Sequence, residues 1–229
     1  MNKVHFFCIG AQKAGTTLLH DILIQHRDIY LPDEKEAHFF DVNEQYKKGL
    51  KYYFETYFKS YSGQKIIGNI NPNLQVENRS VNRLIESFGN DIKIIFLIRN
   101  PVKRAYSHYL MSRKRGYENL GFFDAIKLEK ERLANPKLIE DYESQELGHF
   151  EKNHLGYIYR SLYADMIKHL YNVLPRENIK IIVFEEFIND KKTVIEDILS
   201  FLELDFQPLN TNIKSNIAQK PMFFEVSKF

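Results

Sequence analysis

The sequence predicts an α/β fold with a central parallel sheet flanked by helices on both faces. Three observations carry that expectation. The runs Val4–Ile9, Ile92–Ile98 and Ile179–Phe184 are continuously apolar and read as buried strands. Amphipathic segments at helical spacing separate them. No apolar run approaches the length of a membrane span. Strands that are apolar throughout, rather than alternating, suit a parallel sheet covered on both sides. A length of 229 residues, 44% of them apolar, fits one large domain spanning residues 1–229.

Taken in order, Val4–Ile9 is a strand and Thr17–Gln25 a helix with an apolar stripe through Leu18, Leu19, Ile22 and Leu23. Asp28–Phe40 reads as irregular, with Pro32 as a breaker. Tyr46–Tyr57 is a ring-rich helix, Lys65–Gly68 a short strand, and Glu77–Phe88 a helix closed by Gly89. Ile92–Ile98 ends in Arg99-Asn100-Pro101, and Pro101 suits the first turn of a helix running to Lys114. Phe122–Glu131 is helical, while Leu133–Phe150 is polar and weakly periodic, a loop or lid. Tyr157–Leu174 reads as one helix, Ile179–Phe184 as a strand, and Lys191–Leu204 as a helix capped by Asn189 or Asp190. The stretch 207–229 is an irregular tail.

Composition narrows the function. A formal net charge of +2 advertises no nucleic-acid partner. The clusters Lys47, Lys48, Lys51 and Arg113, Lys114, Arg115 read as solvated helix faces. Cys8 is the single cysteine, so no disulfide framework exists, which suits a cytoplasmic location. A strand beginning near residue 4 leaves no room for a signal peptide.

The most informative stretch is Ile9-Gly10-Ala11-Gln12-Lys13-Ala14-Gly15-Thr16-Thr17. A strand enters a glycine-bracketed turn and leaves as a helix, which aims backbone N–H groups and a helix N-terminus at one spot. Gly10 and Gly15 keep the spacing of a nucleotide phosphate loop, but Thr16 stands where an NTPase carries lysine. The lysine is Lys13, inside the loop. That displacement turns the reading away from ATP and GTP.

Three segments together resemble the sulfotransferases that use PAPS (3′-phosphoadenosine 5′-phosphosulfate). Gly10–Thr17 resembles their 5′-phosphosulfate loop. Arg99-Asn100-Pro101-Val102-Lys103-Arg104-Ala105-Tyr106-Ser107-His108-Tyr109 resembles their 3′-phosphate motif. Glu34-Lys35-Glu36-Ala37-His38-Phe39-Phe40-Asp41, with Tyr46, Gly49, Tyr52-Tyr53 and Phe58, is similar to the carbohydrate branch that includes the heparan sulfate enzymes. The resemblance spans about residues 4–204 and implies a P-loop-like nucleotide-binding fold.

On that resemblance, Gly10, Gln12, Lys13, Ala14, Gly15, Thr16 and Thr17 cradle the donor's 5′ end. Lys13 stabilises charge on the departing phosphate oxygen. Arg99, with its fork of donors, and Ser107, two helical turns on, hold the 3′-phosphate that distinguishes PAPS from ATP. Glu36 is the expected base, by its match to the heparan-type enzymes, and His38 is the alternative or an acceptor-binding group. Lys214 and Lys220 stand where the family closes the nucleotide with a basic loop. No metal is expected: the transferred group carries less charge than a γ-phosphate, and the remaining histidines lack ligand spacing. The acceptor is a hydroxyl (or amine), expected on a glycan or glycolipid, with a lipid-linked sugar, a carrier-tethered acyl alcohol or a small alcohol as alternatives. Rival readings are a P-loop kinase-like nucleotide-binding protein and a non-catalytic module. One departure stands out. Asn69-Ile70-Asn71-Pro72-Asn73-Leu74 has Ile70 where the carbohydrate branch carries a second lysine.

Overall fold

The computed structural model describes residues 3–137 and 146–213. Five parallel strands form one sheet in the order β2-β3-β1-β4-β5. These are β1 (Phe6–Gly10), β2 (Ile29–Tyr30), β3 (Ile66–Ile70), β4 (Lys93–Ile98) and β5 (Ile179–Val183). β1 pairs with β3 on one side (Phe6 opposite Gly68) and with β4 on the other (Phe6 opposite Lys93). The chain therefore runs from β1 to the edge strand β2, fills the place between them with β3, then passes β1 to build the other way through β4 and β5. The carboxyl ends of β1 and β4 flank the point where strand order reverses. In open α/β sheets that crevice is where ligands bind.

The helices supply the layers. α1 (Thr16–Leu23) follows β1, and α2 (Asn43–Tyr46) and α3 (Gly49–Tyr57) precede β3. α4 (Asn78–Phe88) leads into β4, from which α5 (Pro101–Lys114) and α6 (Phe122–Ala134) follow. α7 (Tyr163–Val173) precedes β5, with α8 (Phe184–Asn189) and α9 (Lys191–Phe201) after it. α5 starts where it does because Asn100 accepts a hydrogen bond from the Lys103 N–H at 3.1 Å and Pro101 fills the first turn. Asp190, not Asn189, caps α9 by accepting from the Thr193 N–H at 3.1 Å.

The sheet's core strands are buried as their sequence demands. Phe6–Ile9 and Ile94–Leu97 have no exposed surface. One face carries an aromatic cluster in which Phe40 meets Phe7 at 5.8 Å, Tyr53 at 5.1 Å and Phe39 at 4.9 Å between ring centroids. Tyr53 is fully buried, and its hydroxyl accepts from Asn69 Nδ2 at 2.8 Å. Tyr53, Tyr57 and Phe58 therefore belong to the core rather than to an exposed ring surface.

Four local expectations change. The helix expected at Tyr46–Tyr57 is two pieces, with Gly49 at φ +81° opening the second. β5 ends at Val183, and Phe184 begins a helix instead of closing the strand. The helix expected at Tyr157–Leu174 is interrupted. Tyr159–Ser161 is a 3₁₀ turn, and α7 starts only at Tyr163. Arg160 is buried in that turn and donates to the Pro72 carbonyl (2.9 Å) and to Asn73 Oδ1 (2.9 Å), ties a continuous helix would not serve. Finally, α6 runs to Ala134, and Glu151–Leu155 is a π-helical turn whose Glu151, Asn153 and His154 are buried. The described end of the expected 133–150 lid is docked: Glu146 accepts from Arg79 at 2.8 and 3.0 Å. Residues 138–145 of it lie outside the described residues.

Candidate active site

The turn after β1 is shaped by backbone the sequence makes available. Ala11 N–H donates to the Leu97 carbonyl at 2.5 Å, locking the turn onto β4. Lys13 has φ +71° and Gly15 φ +95°. A Cβ at Gly15 would lie 2.8 Å from the Phe184 ring, so that position needs glycine for space as well as for φ. Gly15 stands at the N-cap of α1 and offers no side-chain acceptor, and the first turn contains no acidic residue. The N–H groups there are left facing whatever anion approaches.

Arg99 reaches this turn from the end of β4. Its Nη1 donates to the Lys13 carbonyl at 2.9 Å, and its guanidinium lies 4.7 Å over the Phe184 ring. Its Nε is buried without a hydrogen-bond partner among the described residues. Lys13 and Arg99, 86 positions apart in the chain, thus share one site.

The electrostatics suit an anion. Burial pushes the Lys13 amine below its usual range, and the charges of Arg115, Arg99 and Lys35 add to that, with Glu36 alone opposing. Burial likewise lowers Arg99. Several cations facing one carboxylate are stabilised by a polyanionic ligand and strained without one. Arg115 belongs to the cluster read from sequence as a solvated face. It is exposed, as that reading expects, and its charge adds to the electropositive surroundings of Lys13.

Glu36, His38 and Asp41 form a line on the segment after β2. Glu36 Oε1 accepts from Lys35 Nζ at 3.1 Å, and its Oε2 lies 3.9 Å from His38 Nε2. His38 Nδ1 meets Asp41 Oδ2 at 2.7 Å. Burial would raise the Asp41 carboxyl, but the hydrogen bond and charge of His38 bring it below the usual range. An ionised Asp41 places the imidazole proton on Nδ1 and turns Nε2 toward Glu36. Asn71 Nδ2 holds the other Asp41 oxygen at 2.9 Å. Ile70 is fully buried at the end of β3 and brings no cation. Lys35 does: its Nζ donates to Thr17 Oγ1 at 2.7 Å.

Arg104 pairs with no ligand-facing group. It is fully buried and donates to Ser161 Oγ (2.6 Å), to the Tyr157 carbonyl and to the Gln12 carbonyl (3.4 Å). Burial lowers it to about 10. It braces the turn from behind. Ser107 lies half-buried one helical turn further along α5. His108 is buried against Tyr157, with ring centroids 5.1 Å apart. Lys214 and Lys220 lie outside the described residues. A cavity of about 460 Å³ adjoins the turn through Gln75, whose side chain a Cβ at Gly10 would meet at 3.0 Å. Glu77, Arg79, Tyr159, Arg160 and Tyr163 line it.

A family model described as a sulfotransferase domain matches residues 3–228. The chain belongs to the sulfotransferase family. The crystal structure of a sulfotransferase from Alicyclobacillus acidocaldarius is 30% identical, covering 94% of this chain and 87% of that one with a TM-score of 0.76. The membrane-associated sulfotransferase kil1 of Dictyostelium discoideum is 25% identical over 300 residues, 98% of this chain and 61% of that protein. Human heparan sulfate glucosamine 3-O-sulfotransferase 3B1 is 26% identical over 221 residues, 96% of this chain and 49% of that protein. The sulfotransferase chain thus spans about half to three-fifths of these two proteins. Among its described residues no helix is long and apolar enough to cross a membrane.

Proposed function

We propose that this sulfotransferase uses PAPS as donor, PAP (3′-phosphoadenosine 5′-phosphate) being its product, and sulfates a hydroxyl on a carbohydrate acceptor. The observation that carries the reading is the meeting of Lys13 and Arg99, joined by a 2.9 Å hydrogen bond at the point where strand order reverses. The unpartnered Arg99 Nε and the glycine-shaped turn fit a ligand with two separated phosphates. Bound, the donor supplies an activated sulfo group with a phosphate as leaving group.

The chain's residues divide the remaining work. Gly10, Gln12, Ala14, Gly15, Thr16 and Thr17 form the cradle around the 5′ end. Lys13 neutralises the charge that grows on the leaving oxygen. Arg99 and Ser107 grip the 3′-phosphate. Glu36 takes the acceptor proton, and His38, fixed by Asp41, orients that carboxylate. The likeness to a heparan sulfate enzyme supports a glycan acceptor. So does a cavity lined by Tyr159 and Tyr163 together with Glu77 and Arg79, residue types that suit a sugar. A cytoplasmic location belongs to the same reading, supported by the lone buried Cys8.

The test is incubation with sulfur-labelled PAPS and separate panels of glycans, glycolipids, acyl alcohols and small alcohols. Label transferred to a glycan hydroxyl supports the full reading. Label on another alcohol retains the donor and corrects the acceptor. No release of PAP in any panel removes the donor.

A further inference from the structure

We propose that Lys35 is a further catalytic residue, whose ammonium contacts the sulfo group as it passes from donor to acceptor. This rests on the donor reading above. Lys35 Nζ donates to Thr17 Oγ1 at 2.7 Å, in the donor cradle, and to Glu36 Oε1 at 3.1 Å, on the proposed base. A base must sit about 3 Å from the acceptor oxygen, which in turn sits about 3 Å from the sulfur it attacks. A cation hydrogen-bonded to both the cradle and the base therefore occupies the short stretch in which transfer takes place.

The side chain is about a quarter exposed, so it is positioned yet reachable by ligand. An ammonium has three N–H donors, and the two contacts use two of them. The third is available to a sulfo oxygen. Lys13 lies in the same cradle as Thr17, and the charges of Lys35 and Glu36 act on its amine in opposite directions.

In the step itself, the acceptor oxygen forms a bond to sulfur as the bond from sulfur to the bridging phosphate oxygen breaks. That electron pair leaves with the 5′-phosphate of PAP, and the acceptor proton passes to Glu36. Lys35 and Lys13 divide the charge: Lys13 faces the leaving oxygen, Lys35 the oxygens of the group in flight. Lys35 also holds Glu36 beside the acceptor before transfer begins.

Two measurements test this. First, PAPS and PAP affinities are compared by calorimetry in Glu36→Gln, which slows turnover to a residual rate, and in Glu36→Gln with Lys35→Met. The added Lys35→Met should weaken PAPS about tenfold and leave PAP within about twofold, because PAP lacks the sulfo group. Equal weakening of both ligands, or of neither, overturns the proposal. Second, PAP release from PAPS is followed in the single and double variants, with the best acceptor of the panel or with water. Lys35→Met should cost about a hundredfold in kcat. A double variant slower than Glu36→Gln by a similar factor supports contact with the sulfo group. A double variant no slower than Glu36→Gln means that Lys35 acts through Glu36 alone and overturns it. If wild-type protein binds neither PAPS nor PAP, the donor reading fails, a result distinct from all of these.

Discussion

Gly15→Ala tests the coupling between turn and arginine. Gly15 has φ +95°, where an L residue is strained by about 1–2 kcal/mol. The new Cβ would also lie 2.8 Å from Cδ2 and 2.9 Å from Cε2 of Phe184, and overpacking of that kind costs about 1–3 kcal/mol. Together these give about 3 kcal/mol, which for a chain of this length lowers Tm by roughly 6–12 °C. The functional consequence is more specific. The ring that must move is the one beneath the Arg99 guanidinium at 4.7 Å, and Arg99 holds the Lys13 carbonyl. Calorimetry should show weaker PAP binding in Gly15→Ala. Adding Phe184→Leu should recover part of the Tm by relieving the contact, but not the backbone strain. A Gly15→Ala protein with unchanged Tm and unchanged PAP affinity would refute the argument that this turn, the ring and the arginine form one unit.

Other expectations follow from the same site. Lys13→Ala should depress turnover far more than PAP affinity, since its work is on charge that develops only in the transition state; equal losses would make it a ligand anchor. Glu36→Gln should retain PAP binding and lose transfer, and an active Glu36→Gln enzyme removes it as base. Acid stability should be set early by buried histidines. Burial, reinforced by the charges of Arg160 and Arg115, holds His154 down to about 3, and burial holds His108 well below the usual range. Unfolded histidine takes its proton near pH 6.5. Stability is therefore complete above that pH and declines as pH falls toward 3, by up to about 1.4 kcal/mol per unit per histidine. His154→Gln should flatten Tm against pH between 7 and 4; an unchanged slope contradicts the assignment.

The strands that dominate the sheet were legible because burial on both faces leaves a continuous apolar run, as in Ile92–Ile98. The turn was legible because two glycines and a displaced lysine are local signals. Arg99 was legible as a strand-end cation. Where tertiary contacts decide, the reading failed. β2 has two residues, too few for any periodicity. Glu151–Leu155 is polar in sequence, yet it is buried. Asn153 and His154 offer their carbonyls to Arg160 (3.0 Å) and Ser112 (2.6 Å), and Glu151 accepts from the Lys137 N–H (2.8 Å). Phe184 reads as the end of a strand, but its ring is needed as the floor under Gly15 and Arg99. Asp41 stands within the motif that pointed to Glu36 and His38, and its part in fixing the imidazole emerges only with the 2.7 Å contact. Lys35 drew no role from sequence, because nothing in a linear chain shows that its ammonium joins Thr17 to Glu36.

Titration of the wild-type protein with PAP in magnesium-free buffer, against ATP with magnesium, is the most direct measurement. Saturable PAP binding that raises Tm, with ATP and magnesium doing much less, is the outcome required by a Lys13–Arg99 site built for two separated phosphates. Stabilisation by ATP with magnesium, and none by PAP, would contradict it.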